Sequence, residues 1–131
     1  MTARQHDIGE QFVRALAGKN AVELRAALAA DVRFRGLTPG RVWEANGQDD
    51  AIDVLLGSWF EATDHIDETV SHDVHHVVDK VAIRYCFRVR NGDGVFLVEQ
   101  QGYASLDQQG RMADVAIVCS GFQPIDGTVE P

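Results

Sequence analysis

Five polar residues interrupt the apolar phase of the second half of this chain: His72, His76, Tyr85, Gln100 and Cys119. Each stands where a strand-like alternation calls for an apolar side chain. Polar groups buried on such a face cost free energy unless they are hydrogen-bonded. The five therefore either satisfy one another as a core network or line a cavity for water or a ligand. A neutral imidazole beside a phenol and an amide can act as a general acid or base. The same groups suit the binding of a carbonyl compound. His72, His76 and Tyr85 are the candidate catalytic residues. Trp43, Trp59, His72, Tyr85, Gln100 and Cys119 form the candidate ligand-binding set. Trp59, on a helical apolar stripe, reads as core or as a lid; Trp43, just after Pro39-Gly40, reads as a rim residue.

Other chemistries fit less well. His72-Asp73-Val74-His75-His76 suggests a metal site, but on a strand His72 and His76 lie roughly 13 Å apart and His75 faces the other way. Two histidines four apart chelate one ion on a helix, not on a strand, so neither a metal nor another cofactor is expected. Ser58, Ser71, Ser105 and Ser120 lack a His and carboxylate at suitable spacing for a serine nucleophile. Cys119 becomes a thiol nucleophile only if His72 reaches it, and a buried inert cysteine is far commoner. Gly92 and Gly94 belong to a hairpin, since no helix follows them to bind phosphate.

The elements that must position these groups can be read from periodicity. Ile8, Phe12, Val13 and Leu16 share one face of a helix over Asp7–Ala17, which Gly18 stops. Asn20 caps a second helix through Ala29, with Glu23 at the capping-box position and Val22, Leu24 and Leu28 on its apolar side. Asp31–Arg35 alternates as a short strand, Thr38-Pro39-Gly40 turns, and Arg41–Ala45 forms another strand. Gln48–Phe60 is a third helix with a stripe of Ile52, Leu55, Leu56 and Trp59. From Asp64 to Phe122 run four strands separated by Asp79-Lys80, Asn91–Gly94 and Asp107–Gly110.

A two-residue turn at Asp79-Lys80 sets Val78 opposite Val81, Val74 opposite Tyr85 and His72 opposite Phe87. The next loop sets Phe87 opposite Val98, Tyr85 opposite Gln100 and Ile83 opposite Gly102. The last hairpin puts Val115, Ile117 and Cys119 on one side. One face then holds Val70, Val74, Val78, Val81, Ile83, Phe87, Val89 and Val98. The other holds Asp73, His75, Arg84, Cys86, Arg88, Glu99, Gln101 and Tyr103, with Arg88 diagonal to Glu99 and Arg84 across from His75. That second face, with Tyr103, Val118 and Phe122, favours a homodimer interface. Cys86 and Cys119 fall on opposite faces, which disfavours a disulfide.

The 131 residues suit one domain, assigned to residues 4–123, followed by a flexible tail over 124–131. The net charge is −8, with 20 acidic residues against 12 basic ones, and no basic cluster breaks that balance. This argues against nucleic acid or an anionic membrane as partner. The absence of an apolar signal core near Met1, or of any run long enough to span a bilayer, reads as cytoplasmic.

Phe12–Leu16, Leu28–Phe34, the Gly47…Ile52…Trp59-Phe60 helix and Ala104–Met112 together resemble the nuclear transport factor 2-like superfamily, in particular its SnoaL-like bacterial members, over Ile8 to Phe122. The resemblance implies an α+β cone: a strongly curved antiparallel sheet with N-terminal helices on its concave face, and dimerisation through the sheet. It implies no single activity, since members include isomerases, polyketide cyclases, dehydratases, epoxide hydrolases and binders. Aligned with ketosteroid isomerase, its general-base Asp falls on Gly36, its oxyanion-hole Tyr on Phe12 and its protonated Asp on Gly102, so all three groups are missing. His72, His76 and Tyr85 look loosely similar to the His and Tyr groups of scytalone-dehydratase-like proteins, an analogy of fold. The expected function is binding of a small, largely apolar molecule in the cone. The alternatives are a lyase or isomerase using a pocket His and Tyr, and a non-catalytic dimeric interaction domain.

Overall fold

In the computed structural model, which describes residues 3–125, one mixed sheet wraps around the helical half of the chain. Helix α1 spans Ala3–Ala17 and α2 spans Ala21–Ala27. Strands β1 (Leu28–Thr38) and β2 (Arg41–Asn46) follow, then α3 (Gln48–Ile52), which continues as a π-helix over Asp53–Trp59. Strands β3 (His65–Val77), β4 (Lys80–Asn91), β5 (Gly94–Leu106) and β6 (Met112–Cys119) complete the main sheet, and β7 (Gln123–Pro124) adds a short pairing to β5. The order is β2-β1-β6-β5-β4-β3. The meander is antiparallel as expected, but β1 and β6 pair in parallel, making the sheet mixed.

The helix ends follow their local chemistry. Gly18 ends α1, and Lys19 takes a left-handed φ of 51°. The Lys19 ammonium then reaches across to the carbonyls of Glu61 and Asp64, tying the helical corner to the start of β3. Asn20 caps α2 by accepting from Glu23 N at 3.1 Å. Val22, expected on the apolar side, is 79% exposed, whereas Leu24, Ala27 and Leu28 are buried. Leu28 already belongs to β1, which begins earlier than the alternation at Asp31 suggests.

The third helix runs as expected but changes its winding. Phe60 N donates to Leu55 O at 3.0 Å, an i→i−5 bond of the π type. Ala51, Leu55 and Trp59 face the core; Leu56 is partly buried.

Register is where sequence and structure can be compared most closely. Phe87↔Val98, Tyr85↔Gln100 and Ile83↔Gly102 pair as expected, and Val115, Ile117 and Cys119 are all buried on one side. The β3–β4 register differs. Val78 and Asp79 form the turn, so Val77 pairs with Lys80, Val74 with Ile83 and His72 with Tyr85. The shift is two residues, so the facing of each side chain is retained up to irregularities beside Val70 and Asp67. Val70 and Val78 consequently leave the core. On the outer face Arg84 bonds Glu99 at 3.4 Å and Arg88 bonds Glu68 at 3.2 Å, while Asp73 rather than His75 stands opposite Arg84.

The core lies between the helices and the inner sheet face, with Phe12, Leu16, Leu24, Phe34, Leu55 and Phe87 almost fully buried. α1 crosses β3 and β4 so closely that a Cβ at Gly9 would stand 2.6 Å from Val74 Cγ1. Residues 126–131 of the expected tail lie outside the described residues. Ile125 N donates to Val95 O at 3.1 Å.

Candidate functional site

The register sets four of the five polar residues in one row across the sheet: His72 on β3, Tyr85 on β4, Gln100 on β5 and Cys119 on β6. Three of them form a continuous hydrogen-bonded chain. Tyr85 Oη donates to Gln100 Oε1 at 2.5 Å, and Gln100 Nε2 donates to Cys119 Sγ at 3.2 Å. The Gly121 N–H also reaches Cys119 Sγ, at 3.4 Å. Tyr85 and Gln100 are each 1% exposed. Burial pushes the Tyr85 phenol well above its ordinary value, and the neighbouring Cys119 acts in the same direction. Tyr85 is therefore a neutral donor that holds the Gln100 amide in one orientation.

His72 and His76 take a different position. β3 is an edge strand of the sheet. α1 covers its middle and places the Phe12 ring 6.3 Å from that of Tyr85. The His72 ring lies at the open edge of the sheet and bonds Glu10 Oε1 of α1 at 2.9 Å. Its side chain is 42% exposed. His76, opposite Val81 near the hairpin turn, is also exposed. The expectation that both belong to the buried polar set is corrected: an inward-phased residue at a sheet edge is buried only where a helix covers it. Among the described residues no group of three or more potential metal ligands is present.

A cavity of about 200 Å³ is bordered by Cys119 and Gln100 at the end of the hydrogen-bonded chain. Trp43, Trp59, Phe60, Val98 and Phe122 form its apolar wall, and Gln100 and Cys119 present polar atoms to it. Thr38, Ser58 and Gly121 complete the lining. Trp43, Trp59, Gln100 and Cys119 thus come together as the sequence suggested, with Tyr85 behind Gln100. Trp43 is clamped: its Nε1 donates to Thr38 Oγ1 at 2.8 Å and the Arg41 guanidinium stacks 3.5 Å from its ring centroid. Trp59 meets it edge-on at 86°, with centroids 6.3 Å apart. Trp59 is 6% exposed, and its Nε1 is buried without a hydrogen-bond partner among the described residues.

Phe60 and Phe122 are site residues that sequence reasoning missed. Phe122, assigned to the outer face, packs instead on Phe60 and Phe96, with centroids 6.3 and 5.5 Å away. The left-handed Gly121, φ 76°, breaks the alternation of β6 just before it. That glycine was the signal available in the sequence.

The opposite face of the sheet carries a larger, open groove of about 660 Å³. Leu37, Val42, Tyr103 and Val118 line it and are 46, 68, 42 and 57% exposed. Its described lining comes mostly from outward-facing strand positions, with the backbone of the strands and the buried Gln100 and Ile117 beneath them.

No protein-family model and no curated protein sequence matches the chain. Solved structures do. A SnoaL-like polyketide cyclase candidate from Shewanella denitrificans OS-217 superposes with a TM-score of 0.69 at 12% identity, covering 91% of this chain and 92% of that one. An LEH-like epoxide hydrolase from M. tuberculosis gives 0.66 at 16% identity, covering 91% and 84%. A ketosteroid isomerase-like protein from Erwinia carotovora atroseptica SCRI1043 gives 0.64 at 16%, covering 89% and 94%. At these identities the likeness is one of fold. The helices, the curved mixed sheet and these structural neighbours together show that the chain has the nuclear transport factor 2-like α+β cone fold found in SnoaL-like proteins.

Proposed function

We propose that this chain binds a small, largely apolar molecule inside the cone. The observation that carries the reading is the cavity itself, with aromatic walls from Trp43, Trp59, Phe60 and Phe122 and a few polar side chains, Thr38, Ser58, Gln100 and Cys119, among them. Its volume of about 200 Å³ is below the roughly 300–1,000 Å³ typical of drug-sized ligands, so the occupant is small. Titration of the two indole N–H resonances in a ¹H–¹⁵N spectrum with small aromatic and alicyclic probes tests the reading. Saturable shifts at Trp43 and Trp59 support it; resonances unmoved by every probe overturn it.

The rival reading, a lyase or isomerase, gives proton exchange to His72 or His76 and carbonyl polarisation to Tyr85 with Gln100. The Tyr85–Gln100 bond favours the polarising half, since it pre-orients the amide. The exposed histidines, both outside the cavity, favour binding without turnover: Cys119 is the one titratable side chain in the described lining.

The outer groove suits a second copy of the chain. Its exposed Leu37, Val42, Tyr103 and Val118 form an apolar strip on an otherwise charged face. A homodimer through this face is the assembly we propose, with sedimentation velocity as its test.

A further inference from the structure

We infer that Trp59 determines what the cavity accepts: an uncharged ligand that carries a hydrogen-bond acceptor, received by the Trp59 indole N–H. The inference rests on the cavity being the binding site and goes on to name the class of molecule.

Two independent observations point to it. The first concerns charge. Among the described residues, the side chains that line the cavity include no carboxylate, ammonium or guanidinium. The guanidinium of Arg41 lies over the Trp43 ring and is not among them. An ionised ligand entering this space would lose its hydration without gaining a counter-charge, which is strongly unfavourable.

The second concerns the orphaned donor. Trp59 is 6% exposed, belongs to the cavity wall, and has a buried Nε1 with no acceptor among the described residues. Native structures rarely leave such a group unpaired. Two nearby donors are already used: Trp43 Nε1 goes to Thr38, and Tyr85 Oη to Gln100. Aromatic contacts hold the indole from several sides, Phe34 with centroids 5.5 Å away and Trp43 at 6.3 Å, and Gly36 lies against its six-membered ring. The ring is thus seated by packing alone. For this pairing the indole has to turn toward the cavity on binding, so that a carbonyl, ether or ester oxygen accepts its proton. A site that holds an unpaired donor discriminates against a ligand that cannot pair it.

Three probes of matched size separate the terms. Acetophenone carries an acceptor, α-methylstyrene replaces that C=O by C=CH₂, and benzoate carries a charge. Affinities come from the indole resonances and from fluorescence of the full chain. The expected order is acetophenone tighter than α-methylstyrene by about tenfold, with benzoate weaker than either. Trp59→Phe removes the donor and keeps an aromatic wall; it should equalise acetophenone and α-methylstyrene while both still bind. Equal affinities in the wild-type chain overturn the inference and leave cavity binding intact; a buried water then satisfies the indole. A carbonyl preference that survives in Trp59→Phe overturns it as well. Failure of all three probes to shift either indole removes the binding reading itself. The wild-type comparison decides the matter even if Trp59→Phe does not fold.

Discussion

The six-membered ring of Trp59 fills the space that a side chain at position 36 would need. A Cβ built on Gly36 stands 2.4 Å from Trp59 Cζ2 and 2.5 Å from Cη2. Gly36 pairs with Trp43 on one side and Ile117 on the other, in the row next to the hydrogen-bonded chain. The absence of a side chain at 36 and the indole at 59 are two halves of one packing solution.

Gly36→Ala should therefore destabilise the protein by about 1–3 kcal/mol through overpacking. Trp59→Ala should cost about 3–5 kcal/mol. The pair should be non-additive: with Trp59 trimmed, Gly36→Ala becomes nearly neutral. Urea denaturation of the two single variants and the double variant measures the coupling, and additive effects would contradict this packing.

Tyr85→Phe should destabilise by about 1–3 kcal/mol, because Gln100 Oε1 then stays buried without its donor. The Tyr85 phenol also makes stability fall at high pH. Its folded value is raised by burial, so the folded state keeps a proton that the unfolded state releases above about pH 10. The contribution is fully present below the unfolded value and is lost as pH rises from there toward the folded one. Urea midpoints between pH 8 and 11 should decline more steeply in the wild type than in Tyr85→Phe.

Asp107 acts at the other end of the pH scale. The backbone N–H of Arg111 donates to its carboxylate at 3.0 Å, and that of Gln109 at 2.8 Å. The Arg111 contact is the main reason its carboxyl lies below the usual range. The stabilisation is present above the unfolded value of about 3.9 and fades as pH falls through the lowered folded one. Asp107→Ala should reduce stability at pH 7 and flatten the acid limb of the pH profile; an unchanged acid limb would refute the role.

His72→Ala removes an exposed pair with Glu10, so stability should change by less than about 1 kcal/mol. Acetophenone affinity should stay within about twofold of wild type, since the ring does not reach the cavity. A lyase or isomerase working through His72 would instead lose its turnover in this variant.

Val118→Lys places a charge in the outer groove, where Val118 is 57% exposed. Monomer stability should move by no more than about 0.5 kcal/mol. Self-association should be lost in sedimentation velocity. An unchanged dimer would locate the interface elsewhere.

Sequence alone determined the elements whose signals are local. Asn20 with Glu23 starts α2, and Gly18 stops α1. Asn91–Gly94 brings Tyr85 opposite Gln100, because a hairpin loop of defined length sets register without reference to the rest of the fold. Closing the last hairpin at Asp107 and Gly110 implies Gln100 opposite Ile117; a longer loop and a bulge at Ser105/Leu106 set it opposite Cys119 instead. The β3–β4 turn was misread because its residue Val78 adopts φ 58°, a conformation a β-branched side chain seldom takes, so no local rule selects it. Only the tertiary structure decided the rest. The parallel β1–β6 pairing joins segments some eighty residues apart and leaves no periodic trace. His72 has the same strand phase as Tyr85, but phase names a face and not its cover: α1 and Phe12 seal Tyr85 in, while His72 at the sheet edge meets water and Glu10. The cavity depends on how Trp43, Trp59, Phe60 and Phe122, from three separate parts of the chain, come to line one space. Burial is a property of the whole assembly of layers, and a single strand's pattern cannot specify it.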